Sequence, residues 1–81
     1  MVKIFLNVKG MKCGMCEAHV NDIVRKTIDV KKVKSSHKKN ETIILKENEY
    51  DVDKIIKAIN SLGYECSLNK IETANKWIIK H

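Results

Sequence analysis

The stretch Val2-Lys3-Ile4-Phe5-Leu6-Asn7-Val8-Lys9-Gly10-Met11-Lys12-Cys13-Gly14-Met15-Cys16 joins two kinds of pattern. From Val2 to Val8 the residues alternate, with Ile4, Leu6 and Val8 on one face and Lys3 and Asn7 on the other. A period of two marks a half-buried strand. Lys9 to Met15 holds two of the three glycines, Gly10 and Gly14, and reads as a loop. From Cys16 the period lengthens: Val20, Ile23, Val24 and Thr27 fall on one helical stripe.

Asp29 to His37 is expected to form a second strand with Val30 and Val33 inward. Lys38-Lys39-Asn40 then makes a turn into a third strand, Glu41 to Lys46, and the pair reads as a hairpin. Asp51 is placed to cap a second helix, with apolar positions Val52, Ile55, Ile56, Ile59 and Leu62 and a stop at Gly63. Tyr64 to Leu68 alternates as a fourth strand. The order βαββαβ predicts an α+β, ferredoxin-like sandwich: a four-stranded antiparallel sheet with two helices on one face. Past about Asn69 no further element of that unit fits, and Ile71, Ala74, Trp77 and Ile78 keep only a weak helical period. The expectation is a domain over residues 1–70 and a tail over 71–81, loosely ordered or a short helix on an exposed edge.

The chain has 81 residues, 43% hydrophobic and 32% charged, which is one small domain with one modest core. Apolar runs reach three residues, as at Ile43-Ile44-Leu45. About 20 are needed to cross a bilayer, so no membrane insertion is expected. The first residues are too short for a signal peptide, and a cytoplasmic protein is expected. Sixteen Lys and Arg against ten Asp and Glu give a net charge of +6, which suits an acidic partner. Arg25 is the only Arg, which weakens a nucleic-acid reading. That reading also needs aromatic side chains on the open sheet face, and only Phe5 is well placed, so no nucleic-acid partner is expected.

Cys13-x-x-Cys16 carries the chemistry. Three cysteines are an odd number and do not make a secreted disulfide framework. Two intervening residues let two sulfurs converge on one ion, and thiolates select Cu(I), Zn(II) and similar thiophilic metals. Cys16 falls in the first helical turn, where unpaired N–H groups and a partial positive charge favour thiolate over thiol. Two sulfurs leave Cu(I) open to a third, which suits a carrier better than a store.

Gly10-Met11-x-Cys13-x-x-Cys16, between a strand ending at Val8 and a helix, resembles the heavy-metal-associated domain. That family includes small bacterial copper chaperones and the N-terminal domains of metal-pumping P-type ATPases. The resemblance runs over about residues 2–69 and includes Gly63-Tyr64. It implies that Cys13 and Cys16 are metal ligands, that Met11 is a buried anchor of the loop, and that Tyr64 shields the site. It further implies a carrier, not an enzyme, holding Cu(I) and passing it by ligand exchange to a P-type ATPase or its N-terminal metal-binding domain. Zn(II), Cd(II) or Hg(II) is the alternative cargo, and a metal-bridged homodimer is a further arrangement. Lys12 stands where copper members most often have Thr, the Asp that flanks Cys in many zinc and cadmium members is absent, and His19 extends the motif to Cys13-x-x-Cys16-x-x-His19.

Each residue also has a plainer role. His19 is a third ligand or simply a helix-surface residue. Met15 is a partner contact or a loop residue. Cys66 is expected as a core thiol, and His37 and His81 as solvent-exposed. Lys31, Lys32, Lys34, Lys38 and Lys39 are a solvated hairpin or a docking surface for an acidic domain. A thiol–disulfide oxidoreductase is the rival use of the cysteine pair. Against it, no Trp precedes Cys13 and the chain has no Pro, hence no cis-Pro beside the dithiol.

Overall fold

A computed structural model describes residues 1–73. The remainder of the expected tail, residues 74–81 with His81, lies outside the described residues. The elements are β1 (Val2–Lys9), α1 (Gly14–Thr27), β2 (Lys32–Ser36), β3 (Glu41–Lys46), α2 (Val52–Ser61) and β4 (Glu65–Thr73). The sheet order is β2-β3-β1-β4, with every neighbouring pair antiparallel. Helix α1 packs on β2, α2 packs on β4, and the helices touch each other. This is the expected ferredoxin-like sandwich.

The core follows the two periods. Ile4, Leu6 and Val8 point inward from β1, Val33 from β2 and Ile44 from β3. They meet Val20 and Val24 of α1 and Val52, Ile55 and Ile59 of α2. Removing this apolar surface from water is the main driving force for the fold. On the opposite face Phe5 lies under two cations, with the Lys70 and Lys3 Nζ atoms 4.8 and 5.9 Å from its ring centroid.

Polar atoms inside the sandwich are paired. The Thr42 hydroxyl lies 2.9 Å from Ser35 Oγ, whose own O–H donates to Asn21 Oδ1 at 2.7 Å. This thread ties β3, β2 and α1 together. Lys46 takes an inward position of β3 and is only 5% exposed. Its ammonium donates to Asn48 O, Asn48 Oδ1 and Tyr50 O at 2.8, 2.9 and 2.8 Å. Three oxygens offset the cost of burying the charge and shape the turn into α2.

Four expectations need correction. Strand β2 covers Lys32–Ser36 rather than Asp29 to His37, because pairing starts opposite Leu45 and ends opposite Glu41. Asp51 holds the N-cap position of α2 but does not cap it through its side chain. Its backbone is left-handed (φ 68°), and its carboxylate instead pairs with Lys54 at 3.6 Å. Leu62 follows the last helical residue and is 45% exposed, so it is not part of the α2 core stripe.

The fourth correction concerns the tail. Strand β4 runs through Thr73, so Ile71, Glu72 and Thr73 belong to the sheet. The register of β4 on β1 shifts between Phe5 and Leu6: Leu6 pairs with Leu68, whereas Phe5 pairs with Lys70. Asn69 is the extra residue of this bulge. It resets the alternation, so that Ile71 lies opposite Ile4 and packs against the core. Strict alternation from Cys66 would have put Lys70 and Glu72 inside instead.

Ile71→Ala is therefore expected to lower the unfolding free energy by about 1–2 kcal/mol, less than a fully buried isoleucine would cost. Glu72→Ala should stay within about 0.5 kcal/mol. Urea unfolding of both variants checks this, and an equally small effect at Ile71 would remove it from the core.

Candidate metal centre

Strand β1 delivers the chain to Gly10, whose φ of +106° suits glycine. Tyr64 packs directly on that glycine: a Cβ there would lie 3.3 Å from Tyr64 Cδ1. Met11 then inserts into the core at 5% exposure and pins the loop. Cys13 is the N-cap of α1, in extended backbone with no side-chain capping bond. Its carbonyl accepts the N–H groups of Cys16 and Glu17 at 3.1 and 3.3 Å, which starts the helix. That places Gly14 and Met15 in the first turn, two residues ahead of the expected start at Cys16.

Cys13 and Cys16 are thus three residues apart at the mouth of a helix, on one side of it. Both are free thiols, Cys13 exposed and Cys16 half-buried. The Cys16 thiol is lowered from 9.0 to about 7. The Lys12 backbone N–H contributes most, followed by the Tyr64 hydroxyl; partial burial opposes them, and the Cys13 backbone and thiol add smaller contributions. The helix N-terminus favours the same anion. Tyr64 responds in the opposite sense: donating to the Cys16 sulfur raises its phenol above the ordinary value.

His19 is exposed on α1. Among the described residues, no three His, Cys, Asp or Glu side chains come together closely enough to hold an ion. Met15 projects outward between the cysteines, 69% exposed. Cys66 is buried, its thiol pushed up to about 11 by burial, and is a core thiol as expected. Asn60 brackets its backbone, Oδ1 accepting the Cys66 N–H at 2.7 Å and Nδ2 donating to its carbonyl at 3.4 Å.

His37 departs from expectation: it is half-buried and bonded to Glu17. One carboxylate oxygen, Glu17 Oε2, accepts the His37 backbone N–H at 2.7 Å and the ring Nδ1–H at 2.6 Å. These two donors hold the Glu17 carboxyl below the usual carboxylate range, the backbone one contributing more. The sequence carries no local signal for a contact between residues 20 positions apart.

What this loop can do is bind a soft cation between two sulfurs at an accessible surface. Among the described residues, no helix is long and apolar enough to cross a membrane. The family model described as the heavy-metal-associated domain matches residues 5–65. A copper chaperone, CopZ, of Enterococcus hirae is 36% identical over 63 residues, covering 76% of this chain and 91% of that protein. A mercuric reductase of Lysinibacillus sphaericus is 34% identical over 65 residues, covering 80% of this chain; the chain spans only 12% of the length of that enzyme. In structure, the yeast copper transporter domain Ccc2a superimposes with a TM-score of 0.78 at 28% identity, over 86% of this chain and 97% of that one. Dithiol loop, sandwich and sequence agree: this chain belongs to the heavy-metal-associated domain family.

Proposed function

We propose that the protein is a metal carrier that binds one Cu(I) ion through Cys13 and Cys16 and hands it to a partner domain by ligand exchange. The observation that carries this is the set of donors converging on Cys16. A thiol brought to about 7 supplies a thiolate near neutral pH without a third ligand. A soft two-sulfur donor set matches Cu(I). The relatives support the same cargo, one being a copper chaperone and another a copper transporter domain.

Transfer follows from under-coordination. A thiolate of an incoming domain adds to the two-coordinate ion, giving a three-sulfur intermediate. Loss of one original sulfur leaves the ion bridged between one sulfur of each protein. Addition of the partner's second thiolate and loss of the remaining original sulfur then complete the transfer without releasing the ion to water. Cys13, the more exposed of the pair, is the sulfur to leave first. The partner is a metal-transporting P-type ATPase, through an N-terminal domain bearing its own dithiol. The net charge of +6 with Lys9 and Lys12 exposed beside the loop steers an acidic surface toward it.

Anaerobic Cu(I) titration against a competing chelator tests the carrier. One ion per chain is expected, and Cys13→Ser/Cys16→Ser should lose more than the ~100-fold that changes around a ligand typically cost. Equal affinity in the double variant would reject the site. The same lowered thiol could instead serve thiol–disulfide exchange. Insulin reduction at a catalytic rate, with no Cu(I) binding, would move the function there.

The Cys16 thiol also makes a pH prediction. Below about 7 protons compete for the sulfur, so apparent metal affinity should fall as pH drops through that value. In the metal-free protein, the alkylation rate of Cys16, followed by site-resolved mass spectrometry, should rise with a midpoint near 7. Tyr64→Phe removes a donor and should move the midpoint upward. An unmoved midpoint would show that the hydroxyl does not stabilise the anion.

A further inference from the structure

Cys13, Cys16 and Glu17 stand at positions i, i+3 and i+4 around the first turn of α1, the spacing that gathers side chains on one helical face. Two thiolates and a carboxylate would make a three-donor set. A borderline ion such as Zn(II) accepts carboxylate oxygen along with sulfur and takes four donors in a closed site. Cu(I), a soft ion, gains little from that oxygen. Yet Glu17 does not join the sulfurs. Its Oε2 is turned to the β2–β3 turn and accepts both the backbone and the ring N–H of His37, at 2.7 and 2.6 Å. Both side chains are largely shielded there, Glu17 26% and His37 32% exposed. The turn itself is fixed against α1 by the Ser35–Asn21 bond one helical turn further on.

With Cys13 and Cys16 as the ligands, as proposed above, we propose that His37 is a specificity-determining residue: it holds the Glu17 carboxylate against the hairpin and so withholds from Zn(II) the oxygen donor that the spacing on α1 would supply. The dithiol loop stays a two-sulfur site because a residue 20 positions away occupies its neighbouring carboxylate. Selection against Zn(II) is then built by removing a donor rather than by adding one.

Zn(II) and Cu(I) affinities, each measured by chelator competition, test this in the intact chain and its variants. His37→Ala removes the ring donor and leaves the backbone one. His37→Asp adds a like charge that expels the carboxylate. Zn(II) affinity should rise from the parent through His37→Ala to His37→Asp, reaching about tenfold or more, the scale of changes around a ligand. Cu(I) affinity should stay unchanged. Adding Glu17→Gln to either variant should return Zn(II) affinity to the parent value, and circular dichroism should show each variant folded. A flat zinc series beside intact Cu(I) binding overturns the role of His37 alone, as does a zinc gain that persists with Gln at position 17. Absence of Cu(I) binding in the parent overturns the two-cysteine site, and this role with it.

Discussion

A sulfur anion partly withdrawn from water needs donors aimed at it, and the Cys16 thiolate is where this fold concentrates them. One donor is local, the Lys12 backbone N–H. Another, the Tyr64 hydroxyl, comes from the far side of the sequence. Strand β1 brings them together because it is paired on both edges, with β3 and with β4. That pairing puts Lys9 beside Glu65, so the chain leaving β1 and the chain entering β4 meet at one end of the sheet. Gly10 then lets the loop lie against the tyrosine ring, where a Cβ would press on it. Met11 buries itself on the same stretch, so packing anchors the loop.

The proposed exchange fits the geometry of the site. Its two sulfurs differ, Cys16 half-buried and held by donors, Cys13 exposed at the N-cap with no capping bond to break. One sulfur of the pair is held by donors and the other reaches solvent. The bond between Glu17 and His37 serves the same economy of donors, because it keeps a carboxylate one residue from Cys16 engaged elsewhere.

Much of this was legible in the sequence because it is periodic or local. Alternation along Val2–Val8, helical spacing at Val20, Ile23 and Val24, and the glycine after α2 depend only on near neighbours, and they carried the fold. Lys46 was legible in part: alternation places it inward, but only the turn carbonyls explain how a buried ammonium is tolerated. The end of β4 was not legible. A bulge at Asn69 changes which residues face inward, and its position is set by the register on β1. The capping role of Asp51 was not legible either, since that residue takes left-handed backbone and its carboxylate pairs with Lys54. His37 was invisible because its partner is remote in sequence. The cysteine pair, by contrast, declared itself through spacing, and its environment, not its existence, was what three dimensions added.

The most direct measurement of the central claim is X-ray absorption at the copper edge of the Cu(I)-loaded protein, taken at neutral pH without added thiol. The account predicts a first shell of two sulfur neighbours with no nitrogen or oxygen, unchanged by His19→Ala. A shell containing an imidazole nitrogen or a carboxylate oxygen, or one that survives replacement of both Cys13 and Cys16 by serine, would contradict it.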